Sequence, residues 1–136
     1  MSHSIYLANK LNDYVLKGTA YPAPSNVYLA LFTSSGGLDN NTEGSQDEIS
    51  GNAYTRLTID NSTLSFTASS AKASENNEDW LFPTATGNWG TISHVAIMDS
   101  LTSGNVLYWG QLGIATSVDT NDVFRFLAGE LDSLYS

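Results

Sequence analysis

Val27-Tyr-Leu-Ala-Leu-Phe-Thr33 decides the fold. Its residues are β-formers, and they are apolar on both parities. A strand with one wet face alternates apolar and polar side chains, whereas a strand covered on both faces reads as a continuous apolar run. This stretch therefore predicts a central strand with material packed on either side. Immediately upstream, Tyr21-Pro-Ala-Pro-Ser25 ends any helix, because proline lacks the N–H and clashes with the preceding turn. Before that break, residues 4–17 carry the one good helical pattern. Leu7, Leu11 and Tyr14 or Val15 recur at helical spacing, with Ile5 and Ala8 widening the stripe. Ser4 is placed to cap the helix start, and Gly18 to close its end in the left-handed conformation.

Downstream of the central strand the period is that of β-structure. Residues 34–52 form a loop with several glycines and the acids Glu43, Asp47 and Glu48. Tyr54-Thr-Arg-Leu-Thr-Ile59 alternates, and Leu64-Ser-Phe-Thr67 does the same. A second acidic loop, Glu75 to Asp79, leads into Trp80-Leu-Phe82. Further strands are predicted at Gly90–Met98, Val106–Leu112 and Val123–Leu127, with a last one at Glu130–Leu134. Turn signals at Asn88, Ser103-Gly104-Asn105 and Thr120-Asn-Asp122 separate them. Seven or eight strands without intervening helices exclude a parallel α/β sheet. The prediction is a mainly β fold: an antiparallel β-sandwich with one N-terminal α-helix packed on an edge or end. Residues 1–18 form the helix or arm, and residues 19–136 a single sandwich domain.

Composition narrows the function. The 136 residues suit one domain, which at this length needs neither disulfide nor metal to hold a core. Only 14% of residues are charged, below the usual ~25%, so Ser, Thr, Asn and Gly must wet most of the surface. The five basic residues, Lys10, Lys17, Arg56, Lys72 and Arg125, are scattered, and fourteen acids leave a net charge of −9. That balance opposes binding to nucleic acid, which requires neutralised phosphates, and to an anionic membrane. No run approaches the ~20 apolar residues of a membrane span. The first ten residues show no secretory pattern, so the chain is expected to be soluble and made in a cytoplasm. With no cysteine, thiol nucleophiles and thiolate zinc sites are excluded.

The search for reactive groups returns structural readings. His94 lies in Thr91-Ile-Ser-His-Val-Ala-Ile-Met98 with the parity of Ile92 and Ala96, and no nucleophile or pocket accompanies it. It reads as a structural or interface histidine. His3, near the terminus, does not complete a two-histidine metal site. Asp39, Asn41 and Glu43 match three positions of a calcium loop, but the pattern is not completed and flanking helices are missing, so a solvated acidic loop is expected. The pairs Asp47/Glu48 and Glu75 with Glu78/Asp79 have the residue types of a glycosidase pair, but nothing ties them to a cleft. Trp80, Trp89 and Trp109 have the residue type of sugar-stacking platforms, while Trp at strand ends more often fills a core or interface. No phosphate loop, dinucleotide fingerprint, Gly-x-Ser-x-Gly elbow or zinc-protease helix occurs. The expectation is a chain that is not an enzyme, with no catalytic residue, metal site or cofactor.

Several segments in order carry a resemblance. Tyr6-Leu-Ala-Asn-Lys-Leu11 is followed by Val27–Thr33 and by Glu48-Ile-Ser-Gly-Asn-Ala-Tyr-Thr-Arg56. Then come Phe82-Pro-Thr-Ala-Thr-Gly-Asn-Trp-Gly-Thr-Ile-Ser-His94, Val95-Ala-Ile-Met-Asp99, Gly104-Asn-Val-Leu-Tyr-Trp-Gly110 and Asn121-Asp-Val-Phe-Arg-Phe-Leu-Ala-Gly129. Across residues 5–130 this series resembles a family of small tailed-bacteriophage virion proteins of the tail-fibre or capsid-decoration (cement) type. The resemblance implies a β-sandwich, jelly-roll-like, that self-associates as a dimer or trimer on the virion. The acidic loop 34–52 and the polar insertion Ala71–Asp79 depart from it.

On this reading the chain is a cement protein on the outer capsid that binds the major capsid protein and bridges its subunits. The alternative is a tail fibre or tail-tip component recognising a host surface glycan, with Trp89 or Trp109 as platform. Candidate interface residues are Tyr6, Leu7, Leu11, Tyr14, Trp89 and Trp109. Segment 1–17 or loop 34–52, each taken as an appendage to the sandwich, is expected to supply the contact.

Overall fold

A computed structural model describes residues 2–39, 47–60, 66, 68 and 74–131. In chain order the elements are β1 (Ser2–His3), α1 (Ile5–Lys17), β2 (Asn26–Phe32), β3 (Leu57–Asp60), β4 (Trp80–Leu81), β5 (Gly90–Met98), β6 (Val106–Val118) and β7 (Arg125–Phe126). Five strands form one sheet in the order β1-β6-β5-β2-β3, and β4 and β7 pair separately; every pairing is antiparallel. Neither sheet closes on itself, and the architecture is that of a β-sandwich with one helix.

The central strand behaves as its composition demands. On one face of β2, Val27, Leu29 and Leu31 join the main core with Ile59, Ile92, Val95 and Ile97. Trp80, Phe82, Phe124 and Phe126 close this core from the β4–β7 side. The ribbon is extended by Phe82 N–H donating to the Phe124 carbonyl and Ala85 N–H donating to that of Asp122. On the other face of β2, Ala30 and Phe32 lie with Leu38, Ala96, Met98 and Val106 in a second, smaller core. Burying both rows accounts for the missing polar parity.

The helix begins and ends where its caps require. Ser4 Oγ accepts from Leu7 N–H at 3.1 Å, and Gly18 at φ 69° donates its N–H to the Asp13 carbonyl. The N-terminal segment is not an arm, however. Ser2 and His3 pair with Trp109 and Tyr108 on β6, and Ser4 N–H donates to the Leu107 carbonyl at 2.8 Å. Ser4 Oγ also donates to the Val106 carbonyl. Ser4 and Leu7 are fully buried, while Tyr6 and Leu11 pack partly against the main core. The start of the chain is thus a strand of the sheet and a wall of its core.

Other expectations need adjustment. Residues 54–56 lie outside β3, because Tyr54 and Arg56 turn toward Glu48 as described below. Of the expected strand at 64–67 only Phe66 is described, and it bridges to Asn76; the rest lies outside the described residues. Glu130 and Leu131 are not in a strand, and 132–134 lie outside the described residues. Loop 34–52 is no simple appendage: Leu38 and Ile49 are buried, and Glu48 bridges to Phe32. Positions 40–46 of it lie outside the described residues.

The largest departure concerns parity in β5. Ile92 pairs with Thr116 but His94 pairs with Gln111, so two steps along β5 match five along β6. This bulge switches the face of every following residue. Ile92 lies in the main core with Val95 and Ile97, and Ala96 lies in the other core, so Ile92 and Ala96 do not share a face.

Because Ser4 caps α1 and also ties it to β6, Ser4→Ala should destabilise the whole fold. A loss of about 1–3 kcal/mol is expected from one cap and one buried hydrogen bond. A urea midpoint lowered with unchanged slope would register it; an unaltered midpoint would show that the helix start contributes nothing.

Candidate functional site

The densest polar arrangement among the described residues centres on Arg56. Its Nε and Nη2 donate to Oε2 and Oε1 of Glu48, each at 2.8 Å, a bidentate pair. Its Nη1 donates to the carbonyls of Ser100 and Ser103 at 2.8 and 2.7 Å. The Tyr54 hydroxyl donates to Glu48 Oε2 at 2.8 Å and accepts from Leu31 N–H at 3.1 Å. The ion pair is almost dry, with side-chain exposures of 4% for Arg56 and 17% for Glu48. Burial alone opposes the guanidinium charge, but the hydrogen bonds and charge of Glu48 outweigh it and raise the Arg56 pKa. Burial and the neighbouring Glu48 push the Tyr54 phenol strongly upward, which keeps its donor proton.

This geometry requires the chain to reverse between Glu48 and Tyr54. Gly51, Asn52 and Ala53 all take positive φ, at 75°, 52° and 69°. For alanine that conformation is costly, on the order of 1–2 kcal/mol. Neighbouring bonds hold it: the Asn52 carbonyl accepts from Trp89 Nε1 at 2.9 Å and from Thr86 N–H at 3.1 Å, and Asn52 Nδ2 donates to the Asn88 carbonyl. Gly87 is needed for this approach, since a Cβ there would lie 2.6 Å from the Asn52 side chain. The node therefore joins β2, the 48–56 reversal and the β5–β6 turn. Within that turn, Asp99 accepts from Asn105 through both its backbone N–H and its Nδ2. Chemically it is a clamp: donors and acceptors are committed to one another.

The expected interface residues do not form one patch. Trp89 is buried, edge-on to Tyr54 at 5.4 Å, and is a core residue rather than a platform. Leu7 is likewise buried, which removes it from any surface. Tyr6 and Leu11 are half-buried, and Tyr14 is exposed. Trp109 is half-buried beside β1, with Nε1 donating to Asp39 Oδ1 at 3.3 Å and its ring stacked on His94 at 6.4 Å. His94 Nδ1 lies 2.7 Å from Ser93 Oγ, and burial lowers its pKa, favouring the neutral ring. Trp80 is buried against Phe66. Of the three tryptophans, Trp109 alone presents part of its ring to solvent.

Three carboxylates of the acidic pairs are engaged within the fold. Glu48 belongs to the clamp, Asp47 Oδ2 accepts from Ser34 Oγ, and Asp79 Oδ1 accepts from Ala128 N–H at 2.8 Å. Between Glu75 and Asp79 lies a buried asparagine that sequence reading passed over. Asn76 Nδ2 donates to the carbonyls of Glu78 and Leu127, and its Oδ1 accepts from Leu131 N–H. Of the calcium-like loop, Asn41 and Glu43 lie outside the described residues. Among the described residues no cluster of three or more His, Asp or Glu side chains could hold a metal ion, and no helix is long and apolar enough to cross a membrane. The signal for the clamp was present as Arg56, one of five cations, set in the alternating run Tyr54–Ile59 eight positions after Glu48.

The segments that form the clamp, the Trp89 turn and β6 are those whose order resembles small virion proteins, and the chain is a tailed-phage virion protein. More particularly, the family model for podophage GP4 fiber I protein gp80 matches residues 2–133, and the chain belongs to that family. No curated protein matches it.

Since the pair is dry, Arg56→Met should cost about 3–5 kcal/mol by stranding the Glu48 carboxylate. Tyr54→Phe should cost about 1–2 kcal/mol, since it removes one hydroxyl from the network. In a double-mutant cycle Glu48→Gln should lose much of its effect once Arg56 is Met. Additive denaturation energies would contradict the coupling.

Proposed function

We propose that the chain is a non-enzymatic building block of a tailed-phage fibre. The observation that carries this reading is the match of residues 2–133 to a family described as a fiber protein. It favours the fibre over the capsid-cement role expected from sequence, in which the partner would be the major capsid protein. The polar groups support a structural role: Asp79 accepts from the Ala128 N–H, Asp47 from the Ser34 hydroxyl, and the Arg56–Glu48 ion pair holds three segments together. A fold that presents rigid loops suits a protein whose work is contact rather than turnover. If the fibre touches a host glycan through this chain, Trp109 is the aromatic to test, since Trp80 and Trp89 are buried.

Quantitative mass spectrometry of purified virions tests the placement. A fibre component should be present at far fewer copies than the major capsid protein, while comparable copy numbers would return the chain to the shell. In a phage carrying Trp109→Ala, adsorption should fall at least several-fold with virion assembly intact if Trp109 contacts the host. Unchanged adsorption would remove Trp109 from the contact.

A further inference from the structure

A hydrogen-bond acceptor of fixed tautomer stands beside the one tryptophan that reaches solvent. Register sets His94 between Phe32 on β2 and Gln111 on β6, with Trp109 diagonal to it and the two rings stacked at 6.4 Å. The Ser93 hydroxyl decides which nitrogen of the His94 ring carries the proton. Ser93 Oγ lies 2.7 Å from the Thr33 carbonyl oxygen and 2.7 Å from His94 Nδ1. A carbonyl oxygen only accepts, so the one hydroxyl proton goes to Thr33. The Ser93 oxygen then accepts from His94, whose Nδ1 must be the protonated nitrogen. In the neutral ring that leaves Nε2 bare, as an acceptor. Burial lowers the His94 pKa and favours that neutral ring. Nε2 has no hydrogen-bond partner among the described residues.

The neighbours narrow what can donate to it. Trp109 offers a half-buried indole, and Gln111 an exposed amide with both a donor and an acceptor. Asp39 accepts from Trp109 Nε1 at 3.3 Å, so a carboxylate stands at the edge of the same ring, in a chain of net charge −9. That charge repels an acidic ligand. A ligand suited to all of these has an apolar face, several hydroxyl groups and no negative charge. A neutral hexose has this make-up: its ring C–H groups pack on an aromatic side chain, and its hydroxyls donate and accept around the rim.

We propose that Trp109, His94 and Gln111 form a subsite for an uncharged hexose, which packs on the Trp109 ring and donates one hydroxyl to His94 Nε2. Ser93 is the positioning residue, because it fixes which ring nitrogen accepts. The subsite rests on the reading in which Trp109 contacts a host glycan, and goes beyond it in the sugar class and in the group that reads the hydroxyl. An acidic sugar would bring its carboxylate toward Asp39, and a ligand without a hydroxyl would leave Nε2 unmet.

Nitrogen NMR on the full chain tests both parts. The wild-type His94 ring should show a protonated Nδ1 and a bare Nε2, and Ser93→Ala should move it toward the Nε2–H form. A wild-type ring protonated at Nε2 would overturn the assignment. The binding probes are the methyl glycosides of glucose, galactose, mannose and N-acetylglucosamine, with glucuronate and N-acetylneuraminate as acidic counterparts. At least one neutral glycoside should shift the Trp109 indole and His94 signals saturably, and the acidic sugars should not. His94→Phe should weaken that binding at least tenfold and Ser93→Ala several-fold, with the backbone spectrum still that of the folded chain. His94→Gln, whose amide oxygen can accept in place of Nε2, should retain most of it. If no neutral glycoside binds, the subsite is wrong, and adsorption of the Trp109→Ala phage decides the glycan reading separately. If a glycoside binds at Trp109 but His94→Phe binds it equally, or an acidic sugar binds as well, the subsite fails while the glycan reading stands.

Discussion

The Arg56–Glu48 ion pair is the constraint on which the rest of the structure depends. A buried pair is not a strong source of net stability, because desolvating two charges offsets most of their attraction. Its effect is on uniqueness. Arg56 has a carboxylate on one side and two turn carbonyls on the other, and Tyr54 links that carboxylate to the backbone of β2. With three segments joined through one ion pair, displacement of any one leaves a charge or a carbonyl without its partner. The left-handed run at Gly51–Ala53 follows from this, since the chain must reverse within a few residues to return Tyr54 and Arg56 to Glu48.

The fold was legible where burial has a period, and illegible where it rests on particular polar bonds. Val27–Phe32 announced two covered faces, and both are covered. Ser4 and Gly18 announced the helix ends, because capping is local chemistry. The β6 bulge carried no such signal. Gln111-Leu-Gly-Ile-Ala-Thr116 alternates tolerably as a regular strand, and nothing in it declares that β5 will skip past these residues. Parity arguments for His94 therefore failed across the bulge, and its ring stacks on Trp109.

The candidate surface was harder to read than the fold for a related reason. Aromatic and aliphatic residues were chosen as contacts by type, and type does not distinguish a core anchor from an interface anchor. Trp89 is fixed by an indole hydrogen bond to Asn52, which sequence spacing cannot show across 37 positions. The same holds for Asn76: an asparagine inside an acidic loop looks solvated until the chain end folds across it and uses its amide and its carbonyl oxygen. The helix was the reverse case. Its first turns were read as detachable, yet they complete the sheet, and only its last turn is free of the core.

These features share a cause in the low charge of the chain. With few ionic side chains to solvate loops, the turns are held by particular polar groups: Arg56 for the β5–β6 turn, Asn76 for residues 127–131, Asn52 for the Trp89 turn. Loops fixed in this way keep one shape, which lowers the entropy lost when a surface meets its partner. For a virion component that advantage is repeated at each contact of the assembly. Many modest contacts between preorganised surfaces hold a structure together more securely than the same contacts between mobile ones. The reversal at Asn52 and Ala53 belongs to the same arrangement, because it returns Tyr54 and Arg56 to Glu48.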